Sequence, residues 1–306
     1  MKIDQENFAQ LVNKAMQVEN VSHMRSVIEK ELLHYDILFA LEKGGLLDKL
    51  TFQGGTSLRL CYGGNRFSED LDFAGGKDFS SAMLADMKHC IEKYIGERYG
   101  LEVTVKEPKD LKQDPKYSEL SIDKWQIAVV TSPERKDLPK QKIKVEVANI
   151  PAYTREPQPL QINYDFLPDG YSDTLILTES LDEVMADKII SLPATTRYVH
   201  HRDIWDLAWL QQQGATLNMD LVKNKVSDYK LEHFNKMLDN FLDRLPGIVS
   251  SEAFIAEMKR FLPTDVFDRT LAQDKFQVYL QNTLAKLFKT VSNELLGNVT
   301  NNEFRM

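Results

Sequence analysis

The spacing of apolar positions changes character along the chain. From residue 1 to 43 it is helical: Met24, Ile28, Leu32, Tyr35 and Phe39 share one face, Ser22 stands where a cap would start the run, and Gly44-Gly45 can end it. After Leu50 the period shortens. "KLTFQGG" reads as a short strand meeting a glycine turn, "TSLRLCY" as a short helix closed by Gly63-Gly64, and "SEDLDFAGG" as a second strand stopped by Gly75-Gly76. A helix over roughly 80–98 follows, then strands at "LEVTVKE", "WQIAVVTS" and "KIKVEVANI". The last two flank a loop with Pro133 and Pro139, which predicts a hairpin. Residues 151–178, rich in Pro, Tyr and Asp, read as a connector holding one strand, "TLILT". Beyond Ser180 the pattern is helical almost to the end. Mixed strands and helices followed by a helical half predict an α+β chain with domains at 1–178 and 179–306.

Composition narrows the class. The 306 residues are 42% hydrophobic, enough for one large or two modest buried cores. A formal net charge of -8 gives no global attraction to nucleic acid, so any such binding must come from a local patch. One stretch qualifies: residues 135–144, "RKDLPKQKIK", carry five basic residues against one acid. A solvated hairpin loop explains the same run equally well. Only Cys61 and Cys90 are present, no secretory apolar segment is visible, and no apolar run approaches the ~18 residues of a membrane span. The expectation is a cytoplasmic protein with reduced thiols and no membrane partner.

The candidate chemistry begins at residues 54–73, "GGTSLRLCYGGNRFSEDLDF". Gly54-Gly55 allow close backbone approach, the helix that follows offers free N–H groups to an anion, and Thr56 or Ser57 can add a hydroxyl. Asp70 and Asp72, one residue apart in a strand, point the same way, while Leu71 and Phe73 point into the core. Adjacent carboxylates repel unless a cation lies between them, and oxygen ligands suit Mg²⁺. Taken singly, a D-x-D pair is usually a solvated strand edge and a G-G pair a turn; their order together points to a phosphate cradle followed by metal ligands. Two-metal phosphoryl chemistry calls for a further carboxylate nearby. Glu146 lies on the polar face of "KIKVEVANI" with Lys144, against an apolar face of Ile143, Val145 and Val147. It is preferred over Asp123, which sits in a turn-like "SIDK" context, although a cross-strand pair with a lysine would also account for Glu146.

In "ESLDEVMADKIISLP", Ser180 and Glu183 match a capping box and Pro193 marks the end of a helix. Capping is sufficient to explain Glu183. Leu181, Val184, Met185 and Leu192 fall within about 60° of Lys188 at about 100° per residue. Lys188 therefore leaves the middle of a buried stripe, where an ammonium needs anionic partners or a route to water; a metal-bound triphosphate would be one such partner. In "RYVHHRDIWDLAWL", Arg202 and Asp206 are one turn apart with Asp203 beside them, either an ion pair bracing a helix or a contribution to a cleft. His200-His201 lack the spaced partners of a zinc site.

These stretches, "GGTSL", "RFSEDLDF", "KVEV", "LDEVMADKI" and "RDIWDL" in that order over about residues 50–210, resemble the AbiEii/AbiGii (MenT-like) abortive-infection toxin family of nucleotidyltransferases. The resemblance implies a DNA-polymerase-β-like nucleotidyltransferase domain with a mixed sheet, flanked by N-terminal helices and joined to a C-terminal helical domain. It implies that Gly54, Gly55, Thr56 and Ser57 form the nucleotide-phosphate turn, with Arg66 at the family's basic position. Asp70 and Asp72 would be metal ligands, and Glu146 would stand where many members carry Asp. Lys188 would contact the triphosphate, and Asp206, preferred to Asp203, would be a candidate catalytic base. The implied reaction moves an NMP from an NTP to an RNA acceptor, a tRNA 3′ end, with Mg²⁺. The implied setting is a toxin–antitoxin system of phage defence with a cognate antitoxin. Two other readings stay open: a small-molecule (antibiotic) nucleotidyltransferase, and a non-catalytic partner-binding module of the same fold. Residues 211–306 match no motif and are left to define the acceptor.

Overall fold

A computed structural model describes residues 5–17, 20–110, 122–195 and 198–303. The chain divides into two compact units, Met1–Glu179 and Ser180–Met306.

In the first unit a mixed sheet carries seven strands among the described residues, in the order β3-β4-β5-β2-β1-β7-β6. The strands are β1 (Thr51–Gln53), β2 (Leu71–Ala74), β3 (Val103–Lys106), β4 (Ile122–Val129), β5 (Gln141–Ala148), β6 (Glu156–Pro159) and β7 (Leu175–Thr178). The β2–β5 and β1–β7 pairs are parallel and the remaining pairs antiparallel. The predicted hairpin is the β4–β5 pair, although β4 begins at Ile122, three residues before the expected start. Asp123 thus lies in a strand, contrary to its turn-like local sequence, and is in register with Val147. The connector holds two strands where one was expected. β6 escaped notice because its "EPQP" carries two prolines, which only an edge strand tolerates, and β6 is at the sheet's end.

Helices accompany this sheet, three of them packing on its strands. The helices are α1 (Phe8–Ala15), α2 (Arg25–Lys43), α3 (Gly54–Cys61) and α4 (Met87–Tyr99). The run expected over 1–43 is therefore two helices, with residues 1–4 and 18–19 outside the described part. The cap of α2 is Met24 without a side-chain bond, not Ser22. The Gly44-Gly45 stop is as expected, with Gly45 at φ 65. α2 carries carboxylates into the interior because each meets a cation there. The Glu31 carboxylate accepts from Arg59 Nε at 2.8 Å and Nη2 at 3.0 Å, tying α2 to α3. Asp36 pairs with Arg98 of α4 at 2.5 Å and accepts from the Tyr171 hydroxyl. Burial pushes the Asp36 carboxyl up, opposed by Arg98. Paired charges of this kind hold position well but contribute modest net stability.

The second unit is helical: α5 (Leu181–Ala194), α6 (His201–Gln212), α7 (Met219–Asp228), α8 (Phe234–Val249), α9 (Glu252–Phe261), α10 (Thr264–Arg269) and α11 (Asp274–Glu303). Ser180 caps α5 by accepting from the Glu183 N–H at 3.3 Å, as the capping box predicts. The Glu183 carboxylate meets Lys225 of α7 at 2.8 Å, and neither side chain is exposed. Asp187, one turn further along α5, also accepts from Lys225, at 3.1 Å. Nothing in the local sequence around Lys225 announces this; an apolar stripe of α7 simply contains one cation whose partners are on α5. Among the described residues, no helix is long and apolar enough to cross a membrane.

Removing the cation alone would take the partner from one buried carboxylate, Glu183, and one partly exposed, Asp187. Lys225→Ala should lower the unfolding free energy by about 3–5 kcal/mol, read from urea denaturation, whereas Lys225→Met combined with Glu183→Leu should cost clearly less. Equal losses would mean that packing, not the ion pair, carries the effect.

Candidate active site

The acids of the first unit are brought together by strand register. Asp72 of β2 stands directly opposite Glu146 of β5, and Leu71 and Phe73, on the other face, are opposite Val145 and Val147. Those four apolar residues are at most 1% exposed, so the alternation predicted for both strands holds. Extending the same row, Gln53 of β1 pairs with Asp72 and Lys124 of β4 pairs with Glu146. A single rung across four strands thus reads Gln53, Asp72, Glu146, Lys124. Asp70 sits immediately before β2, and its Oδ1 accepts from the Lys144 backbone N–H at 3.0 Å. Glu146 rather than Asp123 shares the rung with Asp72, so strand parity favours the residue preferred from the pattern.

Two of these carboxylates are met by lysines of neighbouring strands. Lys124 Nζ is 3.2 Å from Glu146 Oε1, and Lys144 Nζ is 3.6 Å from Asp70 Oδ2. Asp70, with Glu146 and Asp72 adding to it, raises the Lys144 ammonium above its ordinary value against a smaller desolvation effect. The cross-strand lysine pair weighed as a plain explanation of Glu146 is therefore real.

The Gly54–Ser57 segment is built differently from an open cradle. Helix α3 begins at Gly54 itself, so the two glycines form its first turn and not a loop before it. Gly54 has φ 77, a left-handed value, and a Cβ there would come within 2.9 Å of Asp72 Oδ2. A Cβ on Gly55 would come within 2.2 Å of the Arg66 guanidinium. The glycines are thus required because the Asp72 carboxylate and the Arg66 guanidinium lie against the helix start. Arg66 is itself buried and donates to the Phe67 carbonyl at 2.7 Å. The hydroxyls of the segment are turned inward: Thr56 donates to the Asp70 carbonyl and Ser57 to the Gly54 carbonyl, and both residues are buried. They brace the turn that carries the acids. A carboxylate beside a helix N-terminus is favoured by the exposed N–H groups there, which fits Asp72 at this place.

A divalent cation is the group this family of motifs implies, and the donor set can be tested for it. Three hard oxygen donors on one sheet face suit Mg²⁺. Among the described residues Gln53 Oε1, next to Asp72 on the rung, is buried without a hydrogen-bond partner, an acceptor that a hydrated cation would satisfy. Among the described residues, no three His, Cys, Asp or Glu side chains converge closely enough to hold a metal as they stand. The residues fit the ion in kind and register; the Asp70 and Glu146 carboxylates are directed to lysines and backbone.

In the second unit Lys188 is buried, as its stripe predicts, but its partners are internal. Its Nζ lies 2.6 Å from Asp203 Oδ1 and 2.9 Å from Asp206 Oδ2. Ser191 donates to Asp203 Oδ2 at 2.7 Å, and His200 Nδ1 is 3.3 Å from the same oxygen. Burial alone would raise the Asp203 carboxyl; Lys188 and His200 overcome it and hold the group well below the usual carboxylate range. Arg202 meets Glu257 at 3.5 Å and stacks on Phe261, while Asp206 faces Lys188. The partner that pattern reasoning undervalued is Asp203, since i,i+4 spacing directs attention to Arg202 and Asp206. His201 pairs with Glu257 at 3.0 Å.

The family model described as "Nucleotidyl transferase AbiEii toxin, Type IV TA system" matches residues 36–282. A search of curated proteins returns no significant match. Among solved structures the chain is similar to MenT4, a nucleotidyltransferase toxin of Mycobacterium tuberculosis H37Rv, at 18% identity and TM-score 0.55, with 94% of this chain and 93% of that one covered. It is also similar to a putative nucleotidyltransferase from H. pylori, at 18% identity and TM-score 0.50, covering 89% of this chain and 96% of that one. Both likenesses bear on the fold.

The glycine argument has a direct stability test. Gly55→Ala should destabilise by about 1–3 kcal/mol because the buried Arg66 must move. Gly247→Ala, in α8 with open space around it, should be neutral or stabilising by up to about 1 kcal/mol in the same denaturation assay. No difference between the two would contradict the packing of Arg66 on Gly55.

Proposed function

The chain belongs to the AbiEii nucleotidyltransferase toxin family of type IV toxin–antitoxin systems, and from that premise we propose that it transfers an NMP from an NTP to the 3′ end of an RNA, with tRNA as the acceptor. The family match makes it a nucleotidyltransferase with an NTP substrate and an antitoxin partner. The acceptor, the metal and a cytoplasmic setting in phage defence belong to the proposal. The observation that carries it is the rung shared by Asp72 and Glu146, with Asp70 beside it and the α3 start against Asp72. An arrangement that costs electrostatic repulsion and two glycines is expected where a cation and phosphates are handled.

Asp70, Asp72 and Glu146 are the residues that would hold Mg²⁺, which when bound would acidify the acceptor hydroxyl and offset triphosphate charge. The chain's own groups do the rest. Arg66 and the N–H groups at the start of α3 supply fixed positive potential, already oriented by packing, for phosphate oxygens. The inward hydroxyls of Thr56 and Ser57 keep that turn rigid. Lys188 and Asp206 enter as the pair that the resemblance assigns to triphosphate contact and proton acceptance. In the present arrangement Lys188 answers two aspartates, so a phosphate would compete with them for its charge. Asp203 then acts as a positioning residue for the lysine.

Incubation with total RNA and each α-labelled NTP, with Mg²⁺ added, tests the proposal. Label should enter tRNA, disappear on chelation of divalent ions, and fall at least about 100-fold in Asp72→Asn, the scale expected when a group acting on developing charge is lost. Label confined to small molecules would replace the RNA acceptor by an antibiotic-like one. Absence of label with every nucleotide and metal would favour a partner-binding module.

A further inference from the structure

The face of the sheet that carries the acids also carries a row of ammonium groups. On the rung described above, Glu146 is followed by Lys124. One rung away, the Asp70 carboxylate meets Lys144, which pairs in register with Gln126, and Gln126 pairs with Lys106 of β3. Lys142 continues the same face of β5 beside Ala128. Two acids of the proposed metal set thus carry a lysine from a neighbouring strand position, and the lysines continue across β5, β4 and β3 away from the acids. The side chains involved are not sealed in: Lys124 is 30% and Lys144 55% exposed, against 26% for Glu146 and 30% for Asp70.

Ion pairs at this exposure contribute little to stability, so they are poor explanations of a brace and easy to exchange. A divalent cation seeking Glu146 and Asp70 must displace the ammonium groups from the same oxygens. Once displaced, each lysine is a flexible, exposed cation on a long stem, suited to phosphate oxygens as a point charge. Arg135 and Lys140, nearer the start of the basic run 135–144, are engaged with Asp137 and Glu102, at 2.7 Å and 2.6 Å, acids outside the proposed metal set, so a cation on that set would not release them. The sheet face is the better continuous track.

We propose that Lys124 and Lys144 are exchangeable counter-ions: they neutralise the acid row in the absence of a divalent cation, and pass to the phosphodiester backbone of the RNA acceptor when a cation takes the carboxylates. The inference rests on the nucleotidyl-transfer reading and deepens it, because it makes cation and RNA bind with positive coupling at one site. Such coupling is reciprocal, so each ligand raises the affinity of the other by the same factor.

The test uses the full chain, Mn²⁺ followed by electron paramagnetic resonance, and a fluorescent single-stranded RNA oligonucleotide with a free 3′ end followed by anisotropy. Lys124→Met with Lys144→Met keeps the stems and removes the charges. The double variant should bind Mn²⁺ about tenfold more tightly, the effect of two lost like charges a few ångströms away. It should bind RNA less well in saturating Mn²⁺, with a log–log salt slope shallower by about 1.4 for two lost phosphate contacts. The Mn²⁺-dependent gain in RNA affinity seen in the wild type should largely vanish. Lys144→Met alone, at the more exposed of the two sites, gives the same directions should the double variant fold poorly. Unchanged or weaker Mn²⁺ binding with the coupling intact would overturn the inference while wild-type Mn²⁺ binding and RNA labelling leave the nucleotidyl-transfer reading standing. A wild type that neither binds Mn²⁺ nor labels RNA would overturn both.

Discussion

Two carboxylates facing each other across neighbouring strands are a standing electrostatic cost, and much of the first unit is arranged around it. Asp72 and Glu146 are fixed opposite one another because their flanking residues, Leu71, Phe73, Val145 and Val147, fill the core. A slip of one residue in either strand would bury its acid and expose that strand's own pair of these apolar side chains, so register is strongly specified. The repulsion is then met from three directions: by the helix start at Gly54, by Lys124 and by Lys144. The same core that makes the sheet stable therefore compels the acids to share a face, and that sharing is what a cation-handling site requires.

The second unit solves a related problem differently. Helix α5 carries Glu183, Asp187 and Lys188 in little more than one turn and a half, and buries most of that charge by giving each group a partner on another helix. Lys225 of α7 answers Glu183 and Asp187, and Asp203 and Asp206 of α6 answer Lys188. Networks of this kind are poor sources of net stability but fix relative placement, since an unpaired member is costly. Lys188 is thus a placed residue, not a spare cation. Its charge is balanced before any substrate is considered, which limits how it can act on phosphate.

The parts of this arrangement that follow local rules were legible in the sequence. Alternation in β2 and β5 announced which residues are buried and which acids share a face; Ser180 announced the start of α5; Gly44-Gly45 announced the end of α2. Motif order over about residues 50–210 pointed to the family, and the family model covers that stretch and continues to residue 282. What the sequence concealed was set by non-local partners. The Gly54-Gly55 pair looks like an open turn until Asp72 and Arg66, more than ten residues downstream, are seen lying against it. Thr56 and Ser57 look available until their hydroxyls are traced to backbone carbonyls. Lys225 belongs to no motif, and its role depends on α5, more than thirty residues earlier. Edge strand β6 was masked by its prolines. Each miss arises where a long-range contact decides the role of a residue whose neighbours in sequence say nothing about it.

The account depends on the acid rung being where a divalent cation resides. The most direct measurement is anomalous diffraction from crystals grown with Mn²⁺ and a non-hydrolysable NTP. The account predicts anomalous density between Asp72 and Glu146 with Asp70 in contact, and the ammonium of Lys124 drawn away from the Glu146 carboxylate. Density bound elsewhere in the chain, with Lys124 and Lys144 still on Glu146 and Asp70, would contradict it.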